Sequence, residues 1–171
     1  MDYNTMKPRF PEIKTRVYGK NSRYENSYLK AATEFFVKKL LVGKRYKINI
    51  VISNRKNLDA CGYCDNLDYG RNPRNFKIEV HNNMTKQETL ETLAHESVHI
   101  AQWATNTMRD GKNRTVIFDN KQYTMNNKDP NVYYFSPWEI DAYGRSIGLV
   151  FLWKLQEKSS RKQVKKRKKI G

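Results

Sequence analysis

Two of the three histidines in the chain lie four residues apart, in the segment His95-Glu96-Ser97-Val98-His99. Residues four apart on an α-helix lie on the same face, about one turn from each other, so both imidazoles can bind a single metal ion. Glu96 lies one position further round, where its carboxylate can hold a water molecule without binding the metal itself. The spacing therefore predicts a metal site that activates water for hydrolysis.

This H-E-x-x-H spacing is the one that zinc-dependent hydrolases use, with the histidines as ligands and the glutamate as general base. The segment is predicted to be helical, because Thr85-Lys86-Gln87-Glu88 forms a capping box and an apolar stripe follows it. The stripe consists of Leu90, Leu93, Ala94, Val98 and Ala101. The alternative is that His95 and His99 are ordinary histidines on an amphipathic helix. We favour the metal site, because the pattern uses two of only three histidines and lies inside a predicted helix.

A catalytic zinc ion normally has three protein ligands and one open position, so a third ligand is needed. No histidine follows His99, which leaves a downstream carboxylate or His81 on a neighbouring strand. The downstream carboxylates are Asp110, Asp119, Asp129, Glu139, Asp141 and Glu157. Glu139 is the best candidate because it lies in the first turn of a long predicted helix, and Asp141 is second. The alternative role for Glu139 is as the third residue of a capping box that begins at Ser136.

The segment Pro137-Trp138-Glu139-Ile140-Asp141-Ala142-Tyr143, taken with the histidine motif, resembles the gluzincin metallopeptidases. In that family an E-x-x-A pattern on the next helix completes the site. The resemblance covers about residues 24–157 in element order, and the size is similar to that of minimal gluzincins and of small predicted peptidases of tailed phages. It implies a zincin-like fold, one zinc ion held by His95, His99 and Glu139, Glu96 as general base, and peptide hydrolysis.

The resemblance also implies parts of the site that the motifs themselves do not fix. In the family fold, residues 75–81 would be the edge strand that pairs with an extended substrate. Many gluzincins have an aspartate after the alanine to orient a histidine ligand, and Tyr143 stands there, so the orienting group is Tyr143, Asp141 or a backbone carbonyl. The candidate donors to the developing oxyanion are Tyr123, Tyr133, Tyr134 and His81.

The hydrophobic pattern predicts an α+β fold around these motifs. A capping box at Ser22–Glu25 opens a first helix that ends at Gly43, and the last helix begins at Ser136-Pro137. Between them the pattern predicts strands over 46–53 and 76–81 with a short middle strand between, a helix over about 85–107, and a hairpin around Asp119-Asn120. The predicted architecture is a zincin-like domain over residues 1–157, with a three-stranded or larger mixed sheet, an N-terminal helix, the H-E-x-x-H helix and a long C-terminal helix.

The net charge of +16 comes from 33 basic and 17 acidic residues, and half of it lies in residues 158–171. A block of like charge repels itself, so this segment is predicted to be a disordered tail. A tail of this kind favours a polyanion such as nucleic acid as partner, and the alternative is a solubilising tail without a ligand. The candidate nucleic-acid-binding residues are Arg161, Lys162, Lys165, Lys166, Arg167, Lys168 and Lys169.

Composition argues against several other classes of protein. The mean hydropathy is −0.89, and the longest apolar run, Ile147–Trp153, is far shorter than the ~20 residues that span a bilayer. The first ten residues contain no apolar signal-peptide core, which favours a cytoplasmic location, in the host cell if the protein is viral, or a location in the virion. Two cysteines do not make a disulfide framework, so Cys61 and Cys64 are expected to be a reduced structural pair.

The sequence is consistent with three functions. The first is a zinc metallopeptidase that acts on a protein or peptide, with a basic surface that brings it to nucleic-acid-associated or acidic protein. The second is a nucleic-acid-bound structural or accessory protein, for example of a virus particle, that keeps a zincin fold without cutting. The third is metal-assisted hydrolysis of a non-peptide bond. The intact set of His95, Glu96 and His99 favours the first, since a structural zinc site would not need Glu96.

Overall fold

The computed structural model describes residues 9–68, 70–125 and 129–167 of the chain, with side chains described as far as Lys162. Within these ranges the chain forms four helices and two small sheets, so the predicted α+β class is confirmed. In chain order the elements are β1 (Glu12–Tyr18), α1 (Asn26–Leu40), β2 (Lys47–Arg55), β3 (Gly62–Asn66), β4 (Asn75–His81), α2 (Lys86–Ala104), β5 (Met108–Asp110), β6 (Thr115–Phe118), β7 (Lys121–Thr124), α3 (Pro130–Tyr134) and α4 (Pro137–Arg167).

The larger sheet has four strands in the order β1-β2-β4-β3. The strands β1, β2 and β4 are parallel, and β3 runs antiparallel to β4 at the edge. The prediction that residues 75–81 form the edge strand is therefore wrong. Strand β4 is hydrogen-bonded on both sides, because β3 folds back beside it through a loop in which Asp68 accepts the backbone N–H groups of Arg74 and Asn75.

One face of this sheet is buried and the other is open. Alternate residues of the two central strands point inward and are fully buried, namely Ile48, Ile50, Ile52, Phe76, Ile78 and Val80. On the opposite face Glu79 pairs with Arg55 and with Lys77. A sheet with one apolar face needs helices on that side only.

Helices α1 and α2 cover the buried face, and α4 packs on these two helices. Helix α1 contributes Leu29, Phe36 and Val37, which are completely buried in the core that α2 and the sheet complete. Helix α4 packs on α2 and, through Trp153, on α1: the Trp153 Nε1–H donates to the Tyr28 hydroxyl at 2.8 Å. The contact between α2 and α4 is the one that brings the two sequence motifs together.

The two predicted capping boxes have different outcomes. At the start of α2 the Thr85 hydroxyl accepts the Glu88 N–H, and the Glu88 carboxylate accepts the Thr85 N–H, so this box is confirmed. The box at Ser22–Glu25 is wrong. The Asn21 side chain accepts the backbone N–H groups of Arg23 and Tyr24 in an Asx turn. The helix begins only at Asn26.

The last helix continues past the predicted boundary at residue 157. Helix α4 runs from Pro137 to Arg167 without a break, so residues 158–167 are helical where the charge pattern predicted disorder. This stretch contains no Gly or Pro, and its Lys, Arg and Gln residues are good helix formers. Residues 168–171 lie outside the described part of the chain. Within the described part, no helix is both long enough and apolar enough to cross a membrane.

The smaller sheet has the antiparallel strand order β5-β6-β7. The predicted hairpin around Asp119-Asn120 is confirmed, with β6 paired to β7. Both turn residues have positive φ, 48° and 62°, which fits the two-residue turns that match the twist of a hairpin. Its Tyr123 packs edge-on against Trp138 near the start of α4.

Candidate metal centre

Helix α2 holds His95 and His99 one turn apart with their imidazoles on the same side. Their Nε2 atoms are 3.1 Å apart, and the rings are nearly perpendicular at 83°. Two imidazole nitrogens can come this close when a proton or a cation lies between them, because their lone pairs otherwise repel. The pair is therefore arranged to share one positively charged ligand.

Glu139, in the first turn of α4, brings a carboxylate to the same point. Its Oε2 lies 3.1 Å from the His95 Nε2, and its Oε1 lies 3.4 Å from the His99 Nε2. The side chain is buried, with 2% of the residue exposed, and the neighbouring Ala142 is fully buried where α4 approaches α2. The alternative role of Glu139 in a capping box is wrong, because the Ser136 N–H donates to the Tyr133 carbonyl and the Ser136 hydroxyl has no hydrogen-bond partner.

The three residues fit a zinc-sized ion. Zinc binds nitrogen and oxygen ligands at about 2.0–2.1 Å in a tetrahedron, which places the ligand atoms about 3.3–3.4 Å from one another. The two Nε2 atoms are 3.1 Å apart, each lies 3.1–3.4 Å from a different oxygen of Glu139, and one ligand atom from each residue gives a set within 4.8 Å. The Glu139 Oε2 is buried, yet it lacks hydrogen-bond geometry to any described group, as expected for an atom placed to bind a metal. Among the described residues these three form the single group with such convergence.

The other proposed third ligands lie elsewhere. His81 ends β4, and its Nδ1 accepts the Asn83 N–H. Asp110 and Asp119 belong to the small sheet and its turn, and Asp129 caps α3 through the Asn131 N–H. Glu157 pairs with Arg161 far along α4. Of the candidates that the sequence left open, the structure brings only Glu139 to the two histidines.

Gln102 orients His99. The Gln102 amide nitrogen donates to the Trp138 carbonyl at 2.9 Å and to Asp141 at 3.0 Å, which turns its oxygen toward His99. The His99 Nδ1–H then donates to that oxygen at 2.8 Å. With the proton fixed on Nδ1, the Nε2 lone pair is free for a metal.

The sequence did not identify Gln102 as the orienting group. Of the three alternatives considered, Asp141 contributes indirectly, because it accepts from Gln102 and from Arg145 and contacts neither histidine through a hydrogen bond. Tyr143 instead lies against His95, with ring centroids 4.5 Å apart. The spacing could have indicated this role, because Gln102 lies three residues after His99 and therefore on the same helical face.

The two carboxylates of the site have opposite pKa shifts. Burial raises the pKa of Glu96, although the two histidines act against it. Burial alone would also raise the pKa of Glu139, but its contacts with the two imidazoles lower it to about 2. One carboxylate is therefore held as an anion against the histidines, and the other is the more basic of the two. This difference is what separates a ligand from a proton acceptor.

Glu96 lines a cleft of about 790 Å³ together with His95 and Glu139. Strand β3 forms one wall and lies very close to α2: a Cβ at Gly62 would be 2.5 Å from the Thr92 methyl group and 3.2 Å from the Glu96 Oε1. A glycine is needed at this position, because any side chain would displace the wall or the Glu96 carboxylate. The close approach keeps Glu96 buried at 6% exposure.

Two of the four candidate oxyanion donors line this cleft. Tyr133 and Tyr134, on α3, lie opposite β3, whereas Tyr123 and His81 do not line it. Burial and the nearby Glu139 carboxylate raise the pKa of Tyr133, so its phenol stays protonated and can donate. Cys61 also lines the cleft, and both cysteines are free thiols as expected.

The predicted nucleic-acid-binding residues lie at the other end of α4. Arg161 and Lys162 are exposed, and Lys165, Lys166 and Arg167 lie on the last turns of the helix. Lys168 and Lys169 lie outside the described residues. Neither Arg161 nor Lys162 lines the cleft.

Comparisons of the chain with protein-family models, with curated proteins and with solved structures found no match.

Proposed function

We propose that the protein is a zinc-dependent metallopeptidase with a zincin-like, gluzincin-type site. The observation that carries the proposal is the convergence of His95, His99 and Glu139, two of which line a cleft together with the buried Glu96. A structural zinc site is usually closed by four protein ligands. This group offers three, and it opens onto a cleft large enough for a peptide segment.

The residues of the site would divide the reaction between them. Zinc, when bound by the three ligands, supplies an acidified water molecule and a polarised carbonyl group. Glu96 would take a proton from the attacking water and pass it to the leaving nitrogen, which suits a carboxylate whose pKa burial has raised. Tyr133 or Tyr134 donates to the carbonyl oxygen as it gains charge. Gln102 keeps the His99 Nε2 directed at the metal.

Strand β3 would be the support for an extended substrate. It has only one neighbour in the sheet, and its residues Gly62 and Tyr63 line the cleft. A peptide segment lying beside this edge could pair with its free backbone groups. This assignment replaces β4, which has no free edge.

The test is a pair of measurements on the Glu96→Gln variant beside the wild type. We expect both proteins to bind one equivalent of zinc by metal analysis, and only the wild type to cleave a mixture of unstructured peptides detected by mass spectrometry. Removal of a general base lowers rates by about 10²–10⁴. Equal cleavage by both proteins would reject Glu96 as base, and a wild type without zinc would reject the metal site.

The second candidate is a nucleic-acid-associated accessory protein, of a virus particle for example, that no longer cuts. It is favoured by the exposed basic turns at the end of α4. The same experiment separates the two: zinc binding without cleavage of peptides by the wild type supports this candidate, and loss of cleavage in Glu96→Gln supports the peptidase. Hydrolysis of a non-peptide bond by the same site would also depend on Glu96.

A further inference from the structure

The cleft has the opposite charge to the rest of the chain. The chain carries 33 basic and 17 acidic residues. No Lys or Arg of the described part lines the cleft, whereas five acidic residues do: Asp59, Glu88, Glu91, Glu96 and Glu139. Glu96 and Glu139 belong to the proposed reaction site, so the charge of the other three needs a different explanation.

We call Asp59, Glu88 and Glu91 the rim carboxylates. None of them forms an ion pair with a described residue, although the chain has twice as many basic as acidic side chains. Each accepts a hydrogen bond from a neutral group instead. The Tyr63 hydroxyl donates to Asp59, the Thr85 N–H to Glu88 and the Gln87 amide to Glu91. The rim therefore places three carboxylates at the cleft without an ion-paired Lys or Arg among the described residues, although the N-terminus of α2 offsets part of the Glu88 charge.

The interior of the cleft also indicates a ligand. Glu139, whose Oε2 is buried and has no hydrogen-bond partner among the described groups, lines the cleft. Four tyrosines and an isoleucine form much of the remaining lining, namely Tyr63, Tyr133, Tyr134, Tyr143 and Ile147. Aromatic and aliphatic walls beside carboxylates suit a Lys or Arg side chain, whose stem is apolar and whose head is a cation.

We infer that the cleft binds a peptide segment that carries Lys or Arg, with the cation held by the rim carboxylates. This inference rests on the proposed peptidase function and names its substrate class. Glu91 and Glu88 precede His95 by four and seven residues on α2, which is about 6 Å and 10 Å along the helix. An extended peptide advances about 3.3 Å per residue, so the cation lies two or three residues from the cleaved bond.

The kinetic test uses internally quenched peptides of one neutral sequence in which a single glutamine at a time is replaced by lysine. For wild-type protein loaded with zinc, we expect lysine two or three residues from the cleaved bond to raise kcat/KM by about tenfold, mostly through KM. The increase should shrink as salt is raised, because the Debye length falls below the distance between the charges. Equal kcat/KM for all peptides would overturn the inference and leave the peptidase function intact.

A charge-only variant of the rim supplies the second arm. Asp59→Asn, Glu88→Gln and Glu91→Gln each keep one acceptor oxygen for the hydrogen bond that the carboxylate accepts, and glutamine preserves the capping box at Glu88. We expect the preference for lysine to fall below about threefold in this variant. The matched control is Glu12→Gln, Glu34→Gln and Asp119→Asn, which removes three charges outside the cleft and should keep the full preference. A preference retained in the rim variant, or lost in the control, would contradict the inference.

Binding gives a readout that does not depend on turnover. The same labelled peptides are titrated against zinc-loaded Glu96→Gln protein and followed by fluorescence anisotropy. We expect the best lysine peptide to bind about tenfold more tightly than the neutral one. Selective binding without cleavage by the wild type would support the cationic ligand and reject the peptidase function. Equal binding of all peptides would reject the inference whether or not the wild type cleaves them.

Discussion

The two ends of α4 carry opposite charge and differ in how each charge is held. At the N-terminal end Glu139 is buried against two histidines, and Asp141 accepts from Gln102 and Arg145. At the other end the Arg161 side chain is 78% exposed, and its described partner is Glu157 at 3.7 Å. An exposed pair of this kind adds little to stability, whereas a buried carboxylate has to be matched by its surroundings. The function of the N-terminal end therefore depends on the exact position of each charged group, whereas that of the C-terminal end depends on the total positive charge.

The largest effect is expected from removing the charge of Glu139. Glu139→Gln keeps the shape of the side chain but loses the anion that lies against both histidines, so we expect zinc affinity to fall by at least about a thousandfold. Competition with a chromophoric chelator measures this. Glu157→Gln removes a charge from the same helix outside the site and should bind zinc like the wild type. Unchanged affinity in Glu139→Gln would mean that the metal has another third ligand.

The convergence of His95, His99 and Glu139 could be predicted from the sequence because each half of the site is a local pattern. The spacing of His95 and His99 fixes their common face wherever α2 packs, and Glu139 needed only the contact between α2 and α4. Gln102 was missed because its role depends on tertiary contacts, since the Trp138 carbonyl and Asp141 determine which way its amide faces. The rim carboxylates were missed for the same reason: they come from a loop and a helix that only the fold brings together.

The fold was predictable in class and less so in topology. Strand β1 was missed, although Ile13, Thr15 and Val17 alternate with charged residues, because a threonine in the middle of the buried face weakens the apolar signal. The strand order could not be read from the pattern. Alternation shows which face of a strand is buried, but not which neighbour it pairs with, so β4 could not be recognised as an interior strand.

A smaller effect on the same site is expected from Gln102→Ala. Loss of the residue that orients a metal ligand typically costs 10–100-fold in affinity, and His99 would be free to change tautomer. We expect zinc affinity to fall within that range, measured by the same chelator competition. Gln87→Ala, an exposed glutamine near the start of α2, is the control and should retain full affinity. A fall as large as that of Glu139→Gln would indicate that Gln102→Ala disturbs the contact between α2 and α4.

The basic end of α4 is tested by deleting residues 158–171. Because its contribution is a sum of charges, we expect binding to a short DNA duplex to weaken by about tenfold at low salt and the dependence of affinity on salt to flatten. Anisotropy titrations at several salt concentrations measure both. Peptide cleavage should stay unchanged, since the described part of this segment does not line the cleft. Affinity insensitive to the deletion would remove the nucleic-acid role from this segment.

The smallest effect concerns Cys61, which reports the charge of the cleft that it lines. A negative potential repels an anion, so iodoacetate should react with Cys61 more slowly than neutral iodoacetamide does. We expect the ratio of the iodoacetate rate to the iodoacetamide rate to be about two- to fivefold lower in the folded protein than in the protein unfolded in guanidinium. Burial, with the Glu96 carboxylate nearby, raises the pKa of Cys64, so that thiol stays protonated to higher pH and competes little near neutrality. Peptide mapping by mass spectrometry gives the rate at each cysteine.

The charge-only variant of the rim is the control, and it should bring the ratio of the two alkylation rates close to its value in the unfolded protein. If the ratio is the same in the wild type and in this variant, the rim carboxylates set no potential in the cleft.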